Sequence, residues 1–183
     1  MSYYIKAFSK KEINVSQLLL TNDIFNDRKR FLNTRAMILE LLKMGIVPII
    51  NENDTVSIDE IMFGDNDILA SKVAAMMDAD LLILLTDIDG LYSNNPKTNK
   101  RAKLISSLDE ESFDSQVIND SESQVSFGGM SSKINAALDV SKFGIPTIIA
   151  NGKNKNVLKD IFSYKDVGTA IIPSSIKVGN RKK

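Results

Sequence analysis

"DLLILLTD", residues 80–87, is a run of five apolar residues closed by a threonine and an aspartate. An apolar run this short and unbroken reads as a strand buried on both faces, the kind found in parallel sheets covered by helices. The segments on either side fit that reading. "DNDILASKVAAMMDA" (65–79) reads as a helix with an acidic start, Asp65 being suited to cap it and Met76 and Met77 to join the core. "IVPII" (46–50) is a second buried strand, in which Pro48 points to an edge position or a bulge. Before it, "DRKRFLNTRAMILELLKMG" (27–45) places Phe31, Ala36, Met37, Leu41 and Leu42 near helical spacing, with Gly45 as a stop.

Downstream the alternation continues. "GMSSKINAALDVSKFG" (129–144) reads as a helix closed by Gly144, "IPTIIAN" (145–151) as a strand, "NVLKDIFS" (156–163) as a short helix and "GTAIIP" (168–173) as a last strand. The polar stretch 93–128 reads as irregular, with one short strand at "AKLIS" (102–106). Strand–helix–strand order with apolar strands predicts the α/β class, a three-layer α/β/α sandwich with a mainly parallel sheet. By length the 183 residues are expected to form a single domain, 1–183.

Composition removes several chemistries. Lysine plus arginine (23) balances aspartate plus glutamate (23), so neither a nucleic acid nor an anionic membrane is an expected partner. The absence of cysteine excludes disulfides, thiol nucleophiles and cysteine zinc sites, and the absence of histidine excludes serine–histidine and histidine–zinc hydrolysis. Apolar runs fall far short of the ~20 residues of a membrane helix. "MSYYIKAFSKKEIN" (1–14) lacks a signal-peptide pattern, so a cytoplasmic protein is expected.

Ligands of parallel sheets gather beyond the carboxyl ends of the strands. Three polar loops follow strands here: "NENDTVSIDEIMFGDND" (51–67), "TDIDGLYSNNP" (86–96) and "ANGKN" (150–154). The first holds Glu52, Asp54, Asp59, Glu60, Asp65 and Asp67 with no basic residue. Its Gly64 is misplaced for a calcium loop. Asp59 and Glu60 read as solvated, whereas Asp54, Asn66 and Asp67 form either the floor of a crevice or part of the same solvated turn. "SFGGMSSK" (126–133) can cradle a phosphate, through close backbone approach at Gly128 and Gly129 and the charge of Lys133, or be a plain turn into a helix.

In that order and spacing, "VPIINENDTVS", "FGDND", "ADLLILLTDIDGLYSNNP", "GGMSSKINAA" and "GIPTIIANG" resemble the glutamate 5-kinases of the amino acid kinase family, with "QLLLT" and "FLNTRAMILELL" fitting too. Aspartokinases and uridylate kinases share the fold and the "TD" strand end without pairing "INEND" and "FGDND". The resemblance implies phosphoryl transfer from ATP to the γ-carboxylate of L-glutamate, the first step of proline biosynthesis, with Mg2+ as cofactor. It makes Asp54 and Asn66 glutamate-binding, and Asp67 the carboxylate that holds the catalytic lysines. Thr86 and Asp87 become nucleotide contacts. Phe127, Gly128, Gly129, Met130, Ser131, Ser132 and Lys133 become the ATP loop, with Lys133 catalytic and the ATP-binding half at about 80–175. It further implies a homo-oligomer and hand-over of product to glutamate-5-semialdehyde dehydrogenase.

Departures from the family pattern are expected to matter. The "K-x-G-S" segment carrying a second catalytic lysine and the serine- and glycine-rich loop after it are not in these 183 residues, nor is the RNA-modification-like C-terminal domain. The chain is therefore expected to open in the middle of a kinase domain, an amino acid kinase fold incomplete at its N-terminus. Phe127 is bulkier than the small residue often found before the glycine pair. Two functions follow: a portion of a working glutamate 5-kinase, or an ATP-binding module that does not turn over. An aspartokinase-like activity is a further alternative.

Overall fold

The computed structural model describes residues 1–53, 65–94, 96, 99–109 and 130–173. The chain divides into two compact units, Met1–Leu69 and Ala70–Lys183.

In the first unit, helix α1 (Ser2–Ser9) precedes strand β1 (Asn14–Leu20), and helix α2 (Arg28–Lys43) leads into strand β2 (Ile46–Glu52). β1 and β2 pair in parallel, from Asn14 opposite Ile46 to Leu20 opposite Glu52. Neither α1 nor β1 was expected from the sequence. α2 begins where Asp27 accepts a hydrogen bond from the Arg30 amide at 2.9 Å, a side-chain cap on an otherwise unpaired donor. It ends at Met44 and Gly45, the latter at φ +72, a conformation that glycine adopts freely. Its buried face takes in only part of the apolar set at helical spacing. Thr34 and Ile38 are buried, Phe31 and Leu41 half-buried, and Ala36, Met37 and Leu42 exposed. Helical spacing alone admitted two neighbouring apolar stripes, and packing on β2 selected the one centred on Ile38. β2 itself is half-buried along 46–50 rather than sealed on both faces, and Pro48 stands opposite Ser16. Beyond β1, Arg30 pairs with Asp23, which also accepts from the Thr21 hydroxyl.

Helix α3 (Asn66–Met76) contains the division between the units. The second unit continues with β3 (Leu82–Thr86), β4 (Ser107–Asp109), α4 (Met130–Ser141), β5 (Thr147–Asn151), α5 (Val157–Phe162) and β6 (Thr169–Ile172), in the sheet order β3-β5-β6-β4. β3 runs parallel to β5 and β4 parallel to β6, while β5 and β6 run antiparallel. With β1–β2, three of the four ladders among the described residues are parallel, as expected of the class. The expected strand at 102–106 is reduced to a bridge between Leu104 and Tyr92, with β4 just beyond it.

Alternation along the strands builds this unit's layers. Leu82, Leu84, Ile149 and Ile171 share one buried cluster with Ile134, Ala137 and Val140 of α4. On the opposite face, Ile83, Ile148 and Ala150 pack with Val157 and Ile161 of α5. The result is helix, sheet, helix. α4 closes with the Ile145 amide donating to Val140 O at 3.2 Å and the Gly144 amide to Ser141 O at 2.8 Å, so two terminal carbonyls are satisfied.

Candidate functional site

Because β3 and β5 are parallel neighbours, their carboxyl ends lie side by side, with Thr86 in register with Asn151. Two of the three polar loops singled out from the sequence therefore leave the second unit together. They are tied at several points. The Gly152 amide donates to Thr86 O at 2.8 Å, and Asn151 Nδ2 donates to Asp89 Oδ1 at 2.9 Å. Asn151 Oδ1 accepts from the Lys153 amide at 2.9 Å, fixing the turn after β5. The Tyr92 hydroxyl donates to the other Asp89 oxygen at 3.3 Å. Burial, together with the Asp89 carboxylate beside it, holds the Tyr92 phenol above the usual tyrosine range. From below, Thr169 Oγ1 accepts from the Leu91 amide at 2.8 Å and donates to Ile105 O at 2.6 Å.

Thr86 and Asp87 stand where the strand reading put them, with Thr86 Oγ1 3.5 Å from Asp87 Oδ1, at the outer limit of a hydrogen bond. Asp87 is exposed and Thr86 half-buried. Met130, Ser131, Ser132 and Lys133 form the first turn of α4. Met130 is buried in the cluster that also holds Leu84 and Leu91. Lys133 is half-buried. Ser132 Oγ is buried with no hydrogen-bond partner among the described residues. Phe127, Gly128 and Gly129 lie outside the described residues, as does Asp54.

Asn66 and Asp67 belong to the first unit. Asp65 Oδ1 accepts from the Asp67 amide at 2.8 Å, the capping role expected of it, and leaves Asn66 exposed and Asp67 half-buried at the start of α3. The sequence reading did not single out Asp89, Tyr92 or Asn151 as a group. Once β3 and β5 are taken as neighbours, the polar residue closing "IPTIIAN" could have been aligned with the one closing "DLLILLT".

The model of the amino acid kinase family matches residues 1–151. The chain belongs to the amino acid kinase family. This amino acid kinase chain is 46% identical over 183 residues to a glutamate 5-kinase of Syntrophus aciditrophicus, covering 100% of the chain and 48% of that protein. It is 44% identical over 183 residues to a glutamate 5-kinase of Geobacter sulfurreducens, covering 100% of the chain and 49% of the relative. The chain thus spans about half the length of the curated relatives it matches. Among solved structures, its fold is similar to a UMP kinase of Bacillus anthracis, with TM-score 0.64 and 19% identity over 91% of this chain and 61% of that one. It is likewise similar to an isopentenyl phosphate kinase of T. acidophilum, with TM-score 0.62 and 19% identity over 91% and 63%. At that identity the likeness concerns the fold of this amino acid kinase chain, the α/β class with its mainly parallel strands.

Proposed function

We propose that this chain is part of a glutamate 5-kinase, which transfers the γ-phosphoryl group of ATP to the γ-carboxylate of L-glutamate and opens proline biosynthesis. The observation that carries the reading is the 46% identity to a relative of that name along all 183 residues. The tied carboxyl ends of β3 and β5 are in keeping with it, since parallel sheets take their ligands at that edge.

The chemistry suits the composition. A carboxylate acceptor has a pKa near ~4.3, so at neutral pH it is already the nucleophile. Its oxygen attacks the γ-phosphorus, the bond to the β–γ bridging oxygen breaks, and ADP leaves with the electron pair. No general base is needed, and a chain with no histidine loses nothing by it. What the protein supplies is position and positive charge. In this reading Lys133 neutralises the moving phosphoryl group, Thr86 and Asp87 contact the nucleotide, and residues 127–133 embrace its phosphates. Asp54 and Asn66 hold glutamate, and Asp67 orients the lysines. No group of three carboxylates able to hold a cation by itself occurs among the described residues. Magnesium bound with the nucleotide would add positive charge on the phosphates beside that of Lys133.

A cytoplasmic location and a homo-oligomer complete the proposal. γ-Glutamyl phosphate is a reactive mixed anhydride, which favours hand-over to glutamate-5-semialdehyde dehydrogenase. No helix among the described residues is long and apolar enough to cross a membrane.

A second reading, nucleotide binding without turnover, is favoured by one observation: Thr86, Asp87 and Met130 to Lys133 all belong to one compact unit, Ala70–Lys183. Titration calorimetry of the 183-residue chain with Mg·ATP tests what both readings share. Binding is expected, and Lys133→Ala should weaken it about tenfold or more, the loss of one charge-assisted phosphate contact. Undiminished binding by Lys133→Ala would remove the phosphate-loop assignment. A hydroxamate assay with glutamate separates the two readings: the isolated chain is expected near background, and a polypeptide carrying a "K-x-G-S" segment in front of it should turn over glutamate but not aspartate.

A further inference from the structure

We propose that Asp89 is a positioning residue for the nucleotide site, a latch that holds the loop after β3 against the end of β5 and so fixes Thr86 and Asp87. The inference rests on the nucleotide reading of those two residues and adds to it how they are kept in place.

The hydrogen bonds of the loop lead to this residue. β3 ends at Thr86, whose carbonyl is held by the Gly152 amide. The next anchored backbone group is the Leu91 amide, held by Thr169 Oγ1. Between those anchors, residues 87–90 make no backbone hydrogen bond to another described residue. Asp89 supplies the tie across this gap to the neighbouring strand, accepting from Asn151 Nδ2 at 2.9 Å with one carboxylate oxygen, while the other accepts from Tyr92 of its own loop at 3.3 Å. Asn151 is in turn the last residue of β5 and the acceptor for the Lys153 amide. A carboxylate suits the place because it offers an acceptor on each side at once, one facing an amide and one facing a phenol. Asp89 and its partners thus join two loops that sequence keeps 62 residues apart.

Charge and geometry can be separated experimentally. Asp89→Ala removes both bonds. Asp89→Asn keeps an oxygen for Asn151 and presents an amide N–H to the Tyr92 oxygen, preserving the joint while removing the charge. Calorimetry of the 183-residue chain with Mg·ATP is expected to show about tenfold weaker binding for Asp89→Ala at an unchanged melting temperature. Binding within about threefold of the original is expected for Asp89→Asn. If the original chain binds Mg·ATP and Asp89→Ala binds equally well, the latch is overturned while the nucleotide reading stands. If Asp89→Asn is as weak as Asp89→Ala, the charge rather than the joint is what matters, and the positioning role is overturned. If the original chain binds no Mg·ATP, the nucleotide reading itself falls and takes the latch with it. Should Asp89→Ala fail to fold, Asn151→Ala opens the same joint from the β5 side. The same tenfold loss is expected there, and undiminished binding overturns the proposal.

Discussion

Gly90 is pressed against Thr169: a Cβ built on Gly90 would stand 2.7 Å from Thr169 Oγ1 and 3.0 Å from its amide nitrogen. Gly90 also holds φ at +154, where side chains are disfavoured. Gly90→Ala therefore has to displace Thr169 and accept a strained backbone, at a cost of about 3 kcal/mol. Gly45, at φ +72 with nothing within 4 Å of its would-be Cβ, isolates the backbone part. Gly45→Ala should cost about 1 kcal/mol. Urea midpoints at constant slope measure both, and equal losses would mean that the contact with Thr169 relaxes freely.

Two fully buried threonines of one sheet should respond to the same substitution with opposite sign. Thr169 satisfies the Leu91 amide and the Ile105 carbonyl. Thr147 Oγ1 has no hydrogen-bond partner among the described residues. Thr169→Val strands one buried and one partly buried polar group and is expected to destabilise by about 2–4 kcal/mol. Thr147→Val replaces an unpaired hydroxyl with a methyl group of similar size and should be neutral, or stabilise by up to about 1 kcal/mol. Chemical denaturation of the two variants, compared with the parent, decides it.

Alkaline stability should carry the signature of Tyr92, whose phenol is held above its usual value of about 10 by burial and by Asp89. Below about pH 10 both folded and unfolded chains keep this proton, so stability does not depend on it. Above that value the unfolded chain releases the proton first, and stability falls as pH rises through the folded value. Tyr92→Phe should remove that part of the decline. An unaltered profile would mean that another group governs this window.

Asp54 can be tested even though it lies outside the described residues. If it pairs with the α-amino group of glutamate, Asp54→Ala in an active polypeptide removes a charge partner worth about 2–5 kcal/mol. The glutamate KM should then rise about thirtyfold or more while the ATP KM changes little. An unchanged glutamate KM would return Asp54 to the solvated turn.

What could be read from the sequence was what local chemistry dictates. The run ending at Leu85 and the one ending at Ala150 read as strands because each is a short apolar run bounded by polar residues, although Leu85 itself is exposed. Asp65, Gly45 and Gly144 announced helix ends because caps are made within one turn. β1 was harder. "NVSQLLL" begins polar, its first residue is exposed, and its partner Ile46 lies thirty-two positions from Asn14. Which face of α2 is buried could not be read locally, because the choice of stripe belongs to the strand beneath. The site divides in the same way. That Thr86 and Asp87 close a strand was legible locally, whereas the bond between Asp89 and Asn151 exists only because two strands are neighbours. Strand direction was equally hidden, for no feature of "GTAIIP" tells that it runs against "IPTIIAN".

The antiparallel direction of β6 has a practical consequence for anyone wishing to attach something to this molecule. Thr169 lies across from Ile149, and Ile171 from Thr147, so the chain reaches Ile172 at the edge of the sheet where β5 begins. Asp87 and Asn151 are at the other edge. Ile172 is exposed. A cysteine introduced there, the sole thiol in the chain, would accept a dye or a surface tether at the far rim from the loops. Immobilised by that point, the molecule would present the loops after β3 and β5 outward.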